Sequence, residues 1–158
     1  STICSHEDKE VVRSYDPNER NMETVKRLLR YIDEHFAEKL SLEDLAKYTK
    51  YNRTYVSTLF KNSIGINFHE YLTRVRLSHA IFQLAVTDKN MTQIALDCGF
   101  PDLKIFNQRF RDIFQYLPTE YRQRLDPNHI MNIINKQIYV SPKDPMIAEK
   151  LRGYEDIF

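Results

Sequence analysis

The chain carries one pattern twice, about fifty residues apart. Val56, Phe60, Lys61, Glu70 and Tyr71 recur as Phe106, Phe110, Arg111, Glu120 and Tyr121 at an offset of 50. Upstream, Ala46 and Tyr51 recur as Ala95 and Phe100 at an offset of 49. A repeat that keeps apolar, aromatic and basic positions in register dictates two similar three-dimensional units. Each unit reads as a short helix, a tight turn and a second helix with a polar outer face, which is a helix-turn-helix. The partner inferred from that arrangement is DNA.

Composition narrows the fold class. With 158 residues and 42% hydrophobic content, the chain has enough apolar mass for one domain or two small ones. Three Gly and six Pro are too few for the turns of an all-β fold. Apolar spacing follows the 3.6-residue period, so the expectation is all-α. The net charge is only +1, but its distribution is uneven. Between Leu45 and Thr87 the sole acid is Glu70, against Lys47, Lys50, Arg53, Lys61, Arg74 and Arg76. Between Leu103 and Arg111 there are three basic residues and no acid. Such asymmetry suits one face turned to phosphate, and equally suits a solvated cationic helix surface. Cys4 and Cys98 make no zinc pattern and no disulfide framework, and Cys98 falls where a small buried residue is expected. With no apolar run of about 18 residues and no signal peptide, no membrane span is expected, and a reducing cytoplasm fits the cysteines.

Residues 1–20 are polar and aperiodic, and they are expected to link to a missing upstream region. The chain starts at Ser1 without Met, so an excised fragment is expected. A first helix is expected over about Met22–Glu38, with Val25, Leu28, Leu29, Ile32 and Phe36 as its apolar stripe. Ser41, with Asp44 in the capping-box position, opens the second helix, which ends near Tyr48. Asn52 caps a third that runs to about Ser63, buries Tyr55, Val56, Leu59 and Phe60, and stops at Gly65. Asn67 caps a long fourth helix, Phe68 to about Val86. After a polar break, Thr92 caps the fifth and Gly99 closes it. Asp102 caps the sixth, which runs to about Phe114, and Pro118 starts the seventh, which runs to about Leu125. Residues 126–158 lie outside the repeat, and nothing in them assigns a role. Asp126-Pro127 and Asp144-Pro145 read as helix starts, Ile130–Ile134 and Met146–Leu151 as short amphipathic helices, and Ile138–Val140 as β-prone.

The outer faces of the third and sixth helices carry the right chemistry for base edges. Arg53, Thr54, Ser57 and Thr58 lie outward on one, and Lys104, Asn107 and Gln108 on the other. Arg reads guanine, Asn and Gln read adenine, and Thr touches the thymine methyl. Lys47, Lys61, Arg74, Arg76 and Arg111 are candidates for phosphate, which positions without specifying. Phe60, Phe68, Tyr71, Phe106, Phe110 and Tyr121 fall on buried faces and are expected in the core, away from bases. The five histidines form no metal-binding pair, and no Gly-rich phosphate loop or nucleophile elbow is present. No catalytic residue, metal ligand or cofactor is assigned, and the expectation is that the chain is not an enzyme.

Residues 22 to 125, about two-thirds of the chain, resemble the AraC/XylS-type DNA-binding domain. The likeness rests on Ser41-Leu42-Glu43-Asp44-Leu45-Ala46, Tyr55 to Lys61, Gly65 and Phe68 to Leu72, followed by Arg74-Val75-Arg76-Leu77 and Ala80. It rests further on Ile94-Ala95, Gly99-Phe100, Asp102, Phe106, Phe110-Arg111 and Pro118-Thr119-Glu120-Tyr121-Arg122. The resemblance implies a seven-helix double helix-turn-helix: two three-helix subdomains joined by a long linker helix, within a domain at 21–125. The first helix-turn-helix would span 41–64, the linker helix 67–87 and the second helix-turn-helix 92–115. It implies a bacterial transcription regulator, an activator, whose two recognition helices enter successive major grooves of double-stranded DNA in the cytoplasm, on the nucleoid. RNA polymerase, and an effector bound by a domain absent here, are the further partners it implies. By position, the base-reading places fall on Arg53, Thr54, Ser57, Thr58, Leu103, Lys104, Asn107 and Gln108. Thr58 and Gln108 stand where the family often has Arg, Gln115 where it often has Gly, and Leu117 where it often has a Thr or Ser cap. Arg109 takes the place of Leu59 and joins the phosphate candidates. The competing readings are a helical protein-interaction module and the targeting domain of a larger enzyme.

Overall fold

The computed structural model describes residues 17–139, with side chains described for 17–135. Among the described residues there are eight helices and no strand: α1 Pro17–His35, α2 Leu42–Thr49, α3 Arg53–Ile64, α4 Phe68–Val86, α5 Met91–Asp97, α6 Leu103–Phe114, α7 Pro118–Arg124 and α8 Pro127–Tyr139. The seven expected helices are present, and an eighth follows them.

Most helix starts are set by a local side chain. Ser41 completes a capping box, its Oγ accepting from Asp44 N–H at 3.3 Å while Asp44 Oδ2 accepts from Ser41 N–H at 2.8 Å. Asn52, Asn67 and Asp102 each accept the N–H of the residue three places on, at 2.8, 2.9 and 2.8 Å. At α5 the expected cap is corrected. Asn90, not Thr92, accepts from Gln93 N–H at 2.9 Å, and Thr92 lies inside the helix. Met91, which this adds to the helix, packs against the second core. At α7 the cap position is Leu117, which has no accepting side-chain atom; only the reverse bond forms, Leu117 N–H to Glu120 Oε2 at 2.9 Å. Stops differ between halves as well. α3 ends on Gly65 at φ 89°, whereas α6 ends on Gln115, held in the same left-handed region at φ 66°.

The start of α1 also differs from expectation. It begins at Pro17 rather than near Met22, so residues 17–20 are helical and not linker. Pro17 suits a first helical turn and Glu19 suits its positive end. That turn is solvent-exposed, which is why it shows no apolar period. Residues 1–16 lie outside the described residues.

Burial gathers into two clusters. The first joins Leu28 and Ile32 of α1, Leu45 of α2, Val56 and Phe60 of α3, and Phe68, Tyr71, Leu72 and Val75 of α4. The second joins Leu77, Ala80, Ile81 and Leu84 of α4, Ile94, Ala95 and Cys98 around α5, and Phe100, Phe106 and Phe110. One helix therefore serves both cores, and passes from one to the other between Val75 and Leu77. The repeat has a physical counterpart in ring packing. Phe60 meets Tyr71 edge to face at 5.4 Å and 70°, and Phe110 meets Tyr121 at 5.4 Å and 77°. Cys98 is fully buried, and desolvation pushes its thiol up to about 12, as a core thiol requires. Tyr55, expected inside, is instead exposed, and its hydroxyl donates to Asn21 Oδ1 at 2.9 Å.

The eighth helix opens at Asp126-Pro127, as the sequence suggests, with Asp126 Oδ1 accepting from His129 N–H at 2.8 Å. Ile133 lays α8 against the second core. Ile138 and Tyr139 continue this helix instead of forming a strand, while Asp144-Pro145 and Met146–Leu151 lie outside the described residues.

Candidate nucleic-acid interface

The outward faces of α3 and α6 follow from which residues the core takes. In α3 the core takes Val56, Leu59 and Phe60. That leaves Arg53, Thr54, Thr58 and Lys61 exposed and Ser57 half-buried. In α6 the core takes Phe106 and Phe110. Lys104, Gln108, Arg109 and Arg111 are exposed, and Asn107 is half-buried. Leu103 is half-buried against the second core, so only part of its side chain faces outward. Arg109 is solvent-exposed where the first half buries Leu59. This turns one core position of the repeat into an extra surface cation.

The two faces differ in electrostatics. On α3, Arg53 Nε pairs with Glu43 Oε1 of α2 at 3.1 Å, both groups being well exposed. An exposed pair of this kind contributes about 0–1 kcal/mol, so it is easily exchanged for a stronger partner. Lys47 on α2 is exposed beside the same turn. Thr58 lies in a shallow groove between α3 and the start of α1, shared with Asn18, Asn21, Tyr55 and Asn62. On α6, Lys104, Asn107, Gln108 and Arg111 supply two charged donors and two amides within eight residues.

Two of the expected phosphate ligands sit on α4, and the structure separates them. Arg74 is half-buried and its Nη2 pairs with Glu70 Oε1 at 3.1 Å, one turn earlier on the helix. Arg76 is committed elsewhere. Its Nε donates to the Phe36 carbonyl at 2.7 Å and its Nη2 to the Glu38 carbonyl at 2.9 Å. Partial burial holds its pKa below the usual guanidinium value. The expected phosphate role of Arg76 is therefore corrected. It ties the α1–α2 loop to α4 by satisfying two carbonyls of the loop just past the end of α1.

Arg122, quoted within the second motif but given no role, does the same in the second half. From α7 it donates Nε to Leu84, Nη1 to Lys89 and Nη2 to Thr87, all carbonyls, at 3.2, 2.7 and 3.3 Å. In each half, the helix after the helix-turn-helix sends an arginine to the loop before it. The signal is invisible at a fixed offset, because residues 76 and 122 are 46 apart and not 50.

Comparison with known proteins places these helices in a family. A family model described as a helix-turn-helix domain matches residues 45–124. An HTH-type transcriptional regulator of Staphylococcus aureus (strain COL) is 35% identical over 114 residues, which is 71% of this chain and 15% of that protein. The chain thus spans a small part of that relative's length. A solved transcriptional regulator of Chromobacterium violaceum, described as an AraC-type DNA-binding domain-containing protein, is 31% identical with a TM-score of 0.62, covering 66% of this chain and 95% of its own. The DNA-binding domain of AdpA, solved in complex with a target DNA, shares the fold at 23% identity and a TM-score of 0.60, covering 63% of this chain and 89% of its own.

Proposed function

The chain belongs to the AraC/XylS-type helix-turn-helix DNA-binding domains, and from that premise we propose that it binds double-stranded DNA sequence-specifically as the reading module of a transcription activator. One observation carries the reading: α3 and α6 present matched polar and cationic faces from two copies of one unit on a shared strut. α4 has 19 residues, about 28 Å at 1.5 Å per residue. Adjacent major grooves on one face of B-DNA lie about 34 Å apart, within reach of helices mounted at the two ends of such a strut.

In this reading Arg53, Thr54, Ser57 and Thr58 meet bases in one groove, and Lys104, Asn107 and Gln108 meet bases in the next. Lys47, Lys61, Arg74, Arg109 and Arg111 hold phosphate. Leu103 offers an apolar contact to a thymine methyl with the part of its side chain that faces outward. No enzymatic step is assigned to the chain. The whole protein is read as a cytoplasmic regulator that acts with RNA polymerase and takes its signal through another domain; among the described residues no helix is long and apolar enough to cross a membrane.

In vitro selection of duplex DNA with residues 1–158 tests this. The expected product is an asymmetric site whose two halves lie one helical turn apart. Recovery of unselected sequence, with no salt dependence of binding, would instead identify a protein-interaction module.

A further inference from the structure

We propose that Gly99 and Arg76 are positioning residues that lock the angle between the two recognition helices, so that one spacing of half-sites is read and others are refused. The inference rests on the two-groove reading above. A shared helix alone sets the separation of two units but leaves their tilt about its axis to side-chain packing. A second contact, off that axis, removes the freedom.

That contact is built from backbone. Gly99 lies in the turn between α5 and α6, at φ 89°. A Cβ placed there would sit 2.6 Å from the Phe36 carbonyl oxygen, 2.9 Å from Ala37 Cα and 2.9 Å from Arg76 Nε. The turn of the second half thus rests directly on the α1–α2 loop of the first. Arg76 fastens the same loop from below, at the point where α4 leaves one core for the other, between Val75 and Leu77. Three residues beyond Gly99, Asp102 caps α6. The loop that opens α2 and the turn that opens α6 are therefore seated on one another.

Gly65 provides the control. It has the same φ of 89°, but a Cβ there meets nothing within 4 Å. Gly65→Ala and Gly99→Ala suffer similar left-handed backbone strain, and only the second wedges the halves apart. Arg76→Lys keeps the charge and stem but loses the planar fork that spans two carbonyls.

The test measures affinity against half-site spacing, varied by up to about three base pairs either side of one turn. Each protein is also titrated on a single isolated half-site, and folding is followed by circular dichroism. The wild type and Gly65→Ala should share one sharp optimum. Gly99→Ala and Arg76→Lys should bind the optimal duplex about tenfold more weakly or worse and show a flattened or displaced optimum, since simultaneous engagement is lost. Their affinity for an isolated half-site should be close to wild type. If Gly99→Ala is unfolded, Arg76→Lys decides, because it adds no atom to the junction. A wild-type spacing profile in a folded Gly99→Ala or Arg76→Lys protein overturns the inference while leaving the two-groove reading intact. A wild type with no spacing optimum overturns that reading and the inference with it.

Discussion

Phe110 and Tyr121 meet edge to face with ring centroids 5.4 Å apart, the same separation at which Phe60 meets Tyr71. Phe110 is fully buried and also touches Phe106 and Phe114. Phe110→Ala should cost about 3–5 kcal/mol of stability, since both transfer energy and a cavity are involved. Urea unfolding followed by circular dichroism checks this, and a loss under about 1 kcal/mol would show that the second core is not packed as described.

Gln115 holds the left-handed position that Gly65 holds in the first half. A residue with a Cβ is disfavoured there by about 1–2 kcal/mol. Gln115→Gly should therefore raise stability, by about 0.5–1 kcal/mol once the extra chain entropy of glycine is subtracted. A lowered melting temperature would count against the strain.

Cys98 should resist alkylation in the folded protein at pH 8, because burial pushes its thiol up to about 12 and leaves almost no thiolate. Peptide mass mapping after iodoacetamide treatment separates it from Cys4. Reaction at Cys98 should appear only on unfolding, and fast labelling of the native state would contradict its burial.

Asp44 is held below the usual carboxylate range, first by the Ser41 hydroxyl and then by the Ser41 N–H. A lowered folded-state pKa gives stability that is complete above the unfolded value, about 3.9, and is lost as pH falls through the folded value. Asp44→Asn should be less stable than wild type at pH 7, and the gap should close in acid below about pH 4. A gap that is constant with pH would remove the ionised capping box from the account.

Arg111→Ala should reduce the slope of log affinity against log salt by about one unit on every sequence, as one lost phosphate contact requires. Lys104→Ala and Asn107→Ala should instead change base preference, by about 1–3 kcal/mol at one position each. On an isolated half-site Arg76→Ala should leave the salt slope near wild type, since its guanidinium is engaged with Phe36 and Glu38. A unit drop with Arg76→Ala would return it to the phosphate set.

Much of this architecture was legible because it depends on chemistry within four residues of chain. Asn52, Asn67, Gly65 and Asp102 each bound a helix through a local hydrogen bond or a local dihedral. Thr92 is the wrong cap for α5: Asn90, two residues earlier, accepts from Gln93 N–H, and Met91 between them packs against the second core. Tyr55 has the spacing of a core residue, but its hydroxyl finds Asn21, 34 residues away. Arg76 misled for the same reason. An arginine on a cationic helix looks the same in sequence whether it faces solvent or a carbonyl 40 residues upstream. The outer faces of α3 and α6 were legible as what the core leaves over, while their grip on particular bases is a matter for the binding experiments.

Because α4 supplies buried residues to both clusters, neither half has a boundary of its own at which to come undone. Unravelling at Leu72 frays the support of Leu77 about one and a half turns later, and the reverse holds equally. The two repeats thus behave as coupled neighbours in a short one-dimensional array, not as independent beads. Loss of order in one half is therefore also a loss for the other, and the pair stands or falls together.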